Sequence, residues 1–297
     1  MILGKSSFRS HCLSRFRYGY CGTPASGVAL LLDGLPATLM AFSTARRLSS
    51  DYTDALMRIR RTSDSFEQDI TTTSGEVLST EAIGSFVSSG DAEVASLYDQ
   101  SGNSRNATQS TITLQPAIVT SGTIRTEGGR PALDLPSGGA YGLAIASFVM
   151  NLSRFSLVLV ERNTGASDGK TVCFNGSANK GFDYFNNLLT VSKAYAQVNG
   201  EVYVANYVNG IPNQAQHRIV VLTPSGVRVN GTLAGAMTPQ TDADTTMLYN
   251  AIGNDIFRDR DLVATFQELI LFDSVLTSGQ IETVEADLAD FYGVTLA

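Results

Sequence analysis

Histidine and cysteine are both scarce: the 297 residues include two histidines, His11 and His217, and three cysteines, Cys12, Cys21 and Cys173. Three cysteines allow at most one disulfide and leave a thiol over, unlike the dense, even sets that staple small secreted scaffolds, so the fold has to rest on its core. No CxxC occurs and the two histidines lie far apart, which leaves too few ligands for an ordinary zinc site. Charged residues make up only 16% of the chain, too few to dress the long surface helices of a coiled coil or helical array. A basic excess is missing as well. The 21 Lys and Arg against 28 Asp and Glu give a formal charge of −7, which argues against general binding to phosphate backbones. The apolar run nearest the N-terminus, residues 28–32, is broken by Asp33, far short of the about 20 residues of a membrane span. Nor do residues 1–25 read as a secretory signal, because Arg9, Arg15 and Arg17 interrupt any apolar core. Gly165 and Gly176 do not sit in a strand-to-helix phosphate loop, so no nucleotide motif is present.

What is present is 43% apolar residues and 27 glycines, a profile that fits a large all-β domain with an extension. The first segment, residues 1–30, carries Lys5, Arg9, Arg15 and Arg17 with no acid before Asp33, and interleaves Phe8, Phe16, Tyr18 and Tyr20. This basic, aromatic arm is expected to be extended or poorly ordered alone and to dock on an acidic or grooved partner. Residues 31–145 are expected to form the N-terminal part of the β domain, and 146–297 its second half, the two together making one unit. In MRIRR (57–61) the period of two predicts a strand with one basic face. Ser79 opens a short helix with Ile83, Phe86 and Val87 on one face and Gly90 ending it, and a strand follows at 94–98.

After about residue 145 the pattern becomes regular β. Residues 155–160 are apolar on both faces, as in a strand buried on both sides, while 170–175 and 199–207 alternate more loosely. Residues 217–222 and 226–229 form a hairpin across Pro224 and Ser225, and Asn230-Gly231 is a strong turn signal. Residues 266–272 are another buried strand. The chain closes on a helix with Thr277 as cap, Gln280 completing a capping box, a stripe of Ile281, Val284, Leu288 and Phe291, and Gly293 at its end. Short strands with regular turns and one closing helix indicate an all-β jelly-roll sandwich. Its core is expected to contain Leu157, Leu159, Val221, Val229, Leu269 and Leu271.

Two resemblances attach to specific residues. VRVNG (227–231), IGND (252–255) and QELILFDSVLTSGQI (267–281) with the final helix resemble the closing half of concanavalin A-like, laminin-G-type jelly rolls. ALMRIRRTSDSFEQDI (55–70), YDQSGNSRNATQ (98–109) and GRPA (129–132) resemble the catalytic domain of arabinofuranosidase B, and the first two of these blocks recur in bacteriophage structural proteins. A retaining glycosidase needs two carboxylates about 5 to 5.5 Å apart. The resemblance places the acid/base at Asp255, whereas the block carrying the nucleophilic glutamate has no counterpart here, and Glu161 and Glu201 lack its context. It implies a sandwich kept as a scaffold: a virion structural protein of a tailed phage, in the head, collar or tail, made in the host cytoplasm. Its expected partners are other virion proteins, further copies of itself and host surface glycans, with neither membrane nor nucleic acid. The alternatives are an arabinofuranosidase-like glycoside hydrolase and a lectin-like module without catalysis.

Asp99, Ser101, Asn103 and Asn106 gather oxygen ligands in one loop, which suits Ca²⁺ or sugar hydroxyls, although such residues also build tight turns unaided. No cofactor other than Ca²⁺ is expected. Asp255 and Asp259 belong to a mixed charge cluster with Arg258, Arg260 and Asp261, read either as a solvated, self-paired loop or as a catalytic or sugar-contacting one. Arg58, Arg60 and Arg61 with Asp64, Glu67 and Asp69 read as an internal ion-pair network or an inter-subunit contact. Tyr184, Phe185, Tyr203 and Tyr207 read as core or as a stacking shelf for sugars.

Overall fold

The structure is a computed structural model that describes residues 29–135, 142–163, 169–176, 181–186, 192–198, 201–207, 216–236, 244–253 and 264–297. The docking arm, with Lys5, Arg9, Arg15 and Arg17, and the loop holding Asp255 and Asp259 lie outside the described residues. The architecture is the expected all-β sandwich, with two α-helices among the described residues, α1 (Thr80–Val87) and α2 (Ser278–Tyr292). No described helix is long and apolar enough to cross a membrane.

Two strands near the centre explain how the sheets are built. Ser156–Asn163 pairs antiparallel with Ala264–Phe272 on one side, setting Leu157 opposite Leu271, and with Arg218–Thr223 on the other, setting Leu159 opposite Val220. The far edge of Ala264–Phe272 is shared by Thr38–Ser43 and Leu133–Leu135. Beyond Arg218–Thr223 come Gly226–Val229 and Thr232–Ala236, joined by tight turns. The second layer runs from Glu67–Ile70 through Met57–Arg61 and Ala92–Leu97, then by way of Ala107–Thr108 and Leu143–Ile145 to Thr245–Ile252. Gly169–Gly176, Gly181–Asn186, Ser192–Val198 and Glu201–Tyr207 extend it as successive antiparallel neighbours.

Alternation along a strand sends successive side chains to opposite faces. Leu157 and Leu159 therefore join Met40, Phe42, Leu269 and Leu271 in the core that also holds Met57, Ile59, Leu97, Phe174 and Met247 of the second layer. Val158 and Val160 point the other way and meet α2 through Ile281, Val284, Leu288 and Tyr292. That second cover explains why residues 155–160 are apolar on both faces: one side meets a sheet and the other a helix. All six expected core residues are buried, with Val221 on the helix side.

Helix α2 keeps its expected ends. Thr277 accepts from the Gln280 N–H while the Gln280 side chain accepts from the Thr277 N–H, and Gly293 takes a left-handed φ of 69°. Helix α1 starts as expected at Ser79 but stops before Gly90. Ser88 itself adopts φ 58° and donates its N–H to Gly84, while the Gly90 carbonyl is taken by the N–H of Gly122. Asn230 and Gly231, with φ 47° and 86°, form the expected turn.

Candidate functional site

The loop from Tyr98 to Asn106 is organised around one carboxylate. Asp99 is only 4% exposed. Its Oδ1 accepts from the N–H groups of Ala41 and Ser101, and its Oδ2 from the Ser101 hydroxyl and the Arg105 N–H, all at 2.8–3.0 Å. Four donors saturate a carboxylate, so Asp99 is spent on shaping its loop and fastening it to the strand Thr38–Ser43. The neighbours work to the same end. Asn103 donates to the carbonyls of Thr38 and Leu39 at 2.8 and 3.1 Å, Arg105 donates to Leu39 at 2.7 Å, and Asn106 Oδ1 accepts from the Asp99 N–H at 3.0 Å. No cluster of three or more His, Cys, Asp or Glu side chains suited to a metal ion occurs among the described residues. The residues that suggested Ca²⁺ from sequence are thus brought together, chiefly as a turn that holds itself.

Beside this loop stands the arginine hairpin. Arg58 grips Asp69 with two hydrogen bonds of 2.7 and 2.8 Å, and the Tyr98 hydroxyl donates to the same Asp69 at 2.7 Å. The bond from Arg58 holds Asp69 below the usual carboxylate range, while burial and then Asp69 push the Tyr98 phenol up to about 12. Arg61 pairs with Asp64. Arg60 departs from the expected network: it is buried and pairs with Glu93 and Gln115, acceptors outside the hairpin. The side of MRIRR expected to be basic is accordingly neutralised.

Between hairpin and loop opens a cavity of about 390 Å³ lined by Tyr52, Asp54, Ala55, Asp69, Tyr98, Asp99, Ser104 and Asn106. Sequence reading singled out Asp69, Asp99 and Asn106 but not Tyr52, Asp54, Tyr98 or Ser104. Tyr98 begins the block 98–109 and Asp54 directly precedes the block 55–70, so adjacency to these two blocks is the signal that the sequence offers. Tyr52 donates its hydroxyl to the Ala55 carbonyl, and burial, followed by the charge of Asp54, raises its pKa.

Among the described residues, two ion pairs with both partners buried lie elsewhere, and the sequence pattern signals neither as a pair. Arg46 makes a two-pronged contact with Glu268 at 3.1 and 3.2 Å, and Tyr292 donates to Glu268 at 2.7 Å. Arg46 also reaches Asp287 at 2.6 Å and lies over the Phe291 ring, so the group clamps α2 to the sheet. Glu161, the glutamate weighed as a nucleophile, is fully buried and accepts from Arg218 at 2.8 Å. The side chain of Glu201, the other candidate, and those of Tyr184, Phe185, Tyr203 and Tyr207 fall outside the described residues.

Comparison with known proteins agrees with this architecture. Residues 33–154 match the family model of the alpha-L-arabinofuranosidase B catalytic domain. No curated protein sequence matches the chain. Among solved structures, a GH54 α-L-arabinofuranosidase mutant soaked with 4-nitrophenyl α-L-arabinofuranoside aligns with a TM-score of 0.52 at 14% identity, covering 84% of this chain and 62% of that one. The binding domain of Paraclostridial Mosquitocidal Protein 1 aligns at 0.43 and 11% identity, over 80% and 52% of the two chains. The botulinum neurotoxin serotype D ligand binding domain, in complex with N-acetylneuraminic acid, aligns at 0.48 and 12%, over 64% and 48%. The chain spans just over three fifths of the arabinofuranosidase chain it aligns with. It shares that protein's β-sandwich fold, and residues 33–154 resemble the arabinofuranosidase B catalytic domain in sequence.

Proposed function

We propose that the protein is a glycan-recognising, non-hydrolytic β-sandwich of arabinofuranosidase type, displayed on the virion of a tailed bacteriophage. The observation that carries the non-hydrolytic part is the fate of Glu161. Its carboxylate is fully buried and bonded to Arg218, a guanidinium that is itself 1% exposed, so it cannot attack an anomeric carbon held in a solvent-accessible pocket. A lone acid/base aspartate can move a proton, but the covalent route is closed to Glu161 while Arg218 holds it.

In this reading the segment with Lys5, Arg9, Arg15 and Arg17 docks the sandwich on neighbouring virion proteins, further copies of the chain assemble beside it, and the sandwich faces host glycans. A glycan array probed with the purified protein, together with mass spectrometry of purified particles, tests it. Retention of neutral glycans and presence of the chain in the particle are the expected results. A protein that binds no glycan, or that is absent from particles, overturns the corresponding half.

A further inference from the structure

The cavity between the arginine hairpin and the Asp99 loop has a composition that its structural neighbours do not use up. Its volume of about 390 Å³ lies at the small end of the roughly 300–1,000 Å³ of ordinary ligand sites, suited to one compact unit. Two of its three carboxylates are already engaged. Asp69 is fixed by Arg58 and Tyr98, and Asp99 by four donors. Asp54 differs: it is exposed on the cavity wall, and among the described residues no donor reaches its carboxylate. Ser104, held at φ 57°, contributes a hydroxyl, and the Asn106 amide, whose oxygen is committed to Asp99, keeps its N–H₂ group as a donor. Tyr52 and Tyr98 supply aromatic wall, and both are held in place by their hydroxyl hydrogen bonds.

Preformed acceptors, a donor amide and fixed aromatic rings in a mainly polar cavity complement a ligand with several hydroxyls and one apolar face. We propose that this cavity is a binding site for one neutral sugar residue, with Asp54 accepting from two of its hydroxyls and a tyrosine ring covering its apolar face. The sign of the charge sets the class. Asp54, Asp69 and Asp99 oppose an anionic sugar, and among the described residues the one guanidinium bonded to this group, Arg58, is already paired. A bare cation is disfavoured because protein donors fill the four lone-pair sites of Asp99 and three of the four on Asp69. Recognition is direct, without a bridging metal, and uses neither Asp255 nor Asp259. The inference rests on the glycan-recognition reading above and assigns a place to it.

The test is calorimetric titration of the full chain with methyl α-L-arabinofuranoside, methyl β-D-xylopyranoside, methyl β-D-galactopyranoside and N-acetylneuraminic acid, each with and without EDTA. Wild type should bind at least one neutral glycoside, unaffected by EDTA, and bind N-acetylneuraminic acid at least tenfold more weakly. Asp54→Ala, at an exposed position, should melt like wild type and lose at least tenfold in affinity. Equal affinity of Asp54→Ala and wild type overturns the assigned cavity while leaving glycan recognition standing. Loss of binding in EDTA, or preference for N-acetylneuraminic acid, overturns direct recognition of a neutral sugar. Binding to none of the probes, with none retained on the glycan array, overturns both this inference and the reading on which it rests.

Discussion

Arg218 and Glu161 face each other across adjacent strands in the middle of the sheet, with Arg218 Nη2 donating to Glu161 Oε1 at 2.8 Å and both side chains sealed from solvent. The register between Ser156–Asn163 and Ala264–Phe272 shifts between Val160 and Glu161, so the ion pair sits at a bulge in the sheet. Two buried charges owe their low cost to each other. Removing one strips the other of this counter-charge, whereas replacing both by apolar side chains of similar volume is often neutral or better. Arg218→Met should therefore cost about 3–5 kcal/mol, and Glu161→Leu with Arg218→Met should recover most of it. Chemical denaturation of the single and double variants measures this; a double variant as unstable as the single contradicts it.

Leu271 lies opposite Leu157 in the inter-sheet core and is 0% exposed. Leu271→Ala should cost about 2–5 kcal/mol through lost burial and the cavity left behind. An unchanged denaturation midpoint would show that the two layers do not close over this strand.

Gly128 and Gly129 both have left-handed φ values, 56° and 76°, but different surroundings. A Cβ on Gly128 would lie 2.5 Å from the Tyr292 carbonyl oxygen and 2.8 Å from His217 Nδ1, while one on Gly129 meets nothing within 4 Å. Gly129→Ala should cost only the backbone strain of about 1–2 kcal/mol. Gly128→Ala should cost clearly more, because the C-terminal end of α2 has to move. Equal melting temperatures for the two variants would contradict that close approach.

His217 is half-buried with its ring edge-on to Tyr292, 6.0 Å between centroids. Burial holds its pKa below the ordinary value and Arg162 adds to this, against the opposing influence of Gln267 and Glu127. The unfolded chain takes up this proton near pH 6.5 while the folded one resists, so stability declines as the pH falls below about 6.5. Melting temperature should drop more steeply from about pH 7 to about pH 5 in wild type than in His217→Gln. Parallel profiles would remove His217 as a contributor.

Most of the β architecture was legible in the sequence because its signals are local. The capping box of Thr277 and Gln280, the Asn230-Gly231 turn and the doubly apolar run ahead of Glu161 each depend on a few adjacent residues. The end of α1 was misplaced because the deciding contact comes from afar: Gly122 takes up the Gly90 carbonyl, and Ser88 supplies the left-handed residue. The same distinction separates the parts of the candidate site. Asp99, Ser101, Asn103 and Asn106 were found as a cluster, but the saturation of Asp99 depends partly on Ala41, and the pairings of Arg46 with Glu268 and Glu161 with Arg218 span 222 and 57 residues. Asp54 and Tyr52 join the cavity only through the fold.

Hydrolysis is where the two leading readings divide most sharply. The deciding measurement is turnover of 4-nitrophenyl α-L-arabinofuranoside by wild type and Asp255→Asn side by side. With Glu161 locked to Arg218, both proteins should release nitrophenol at the uncatalysed rate. Turnover by wild type that disappears in Asp255→Asn would contradict the non-hydrolytic account and establish the sandwich as an enzyme.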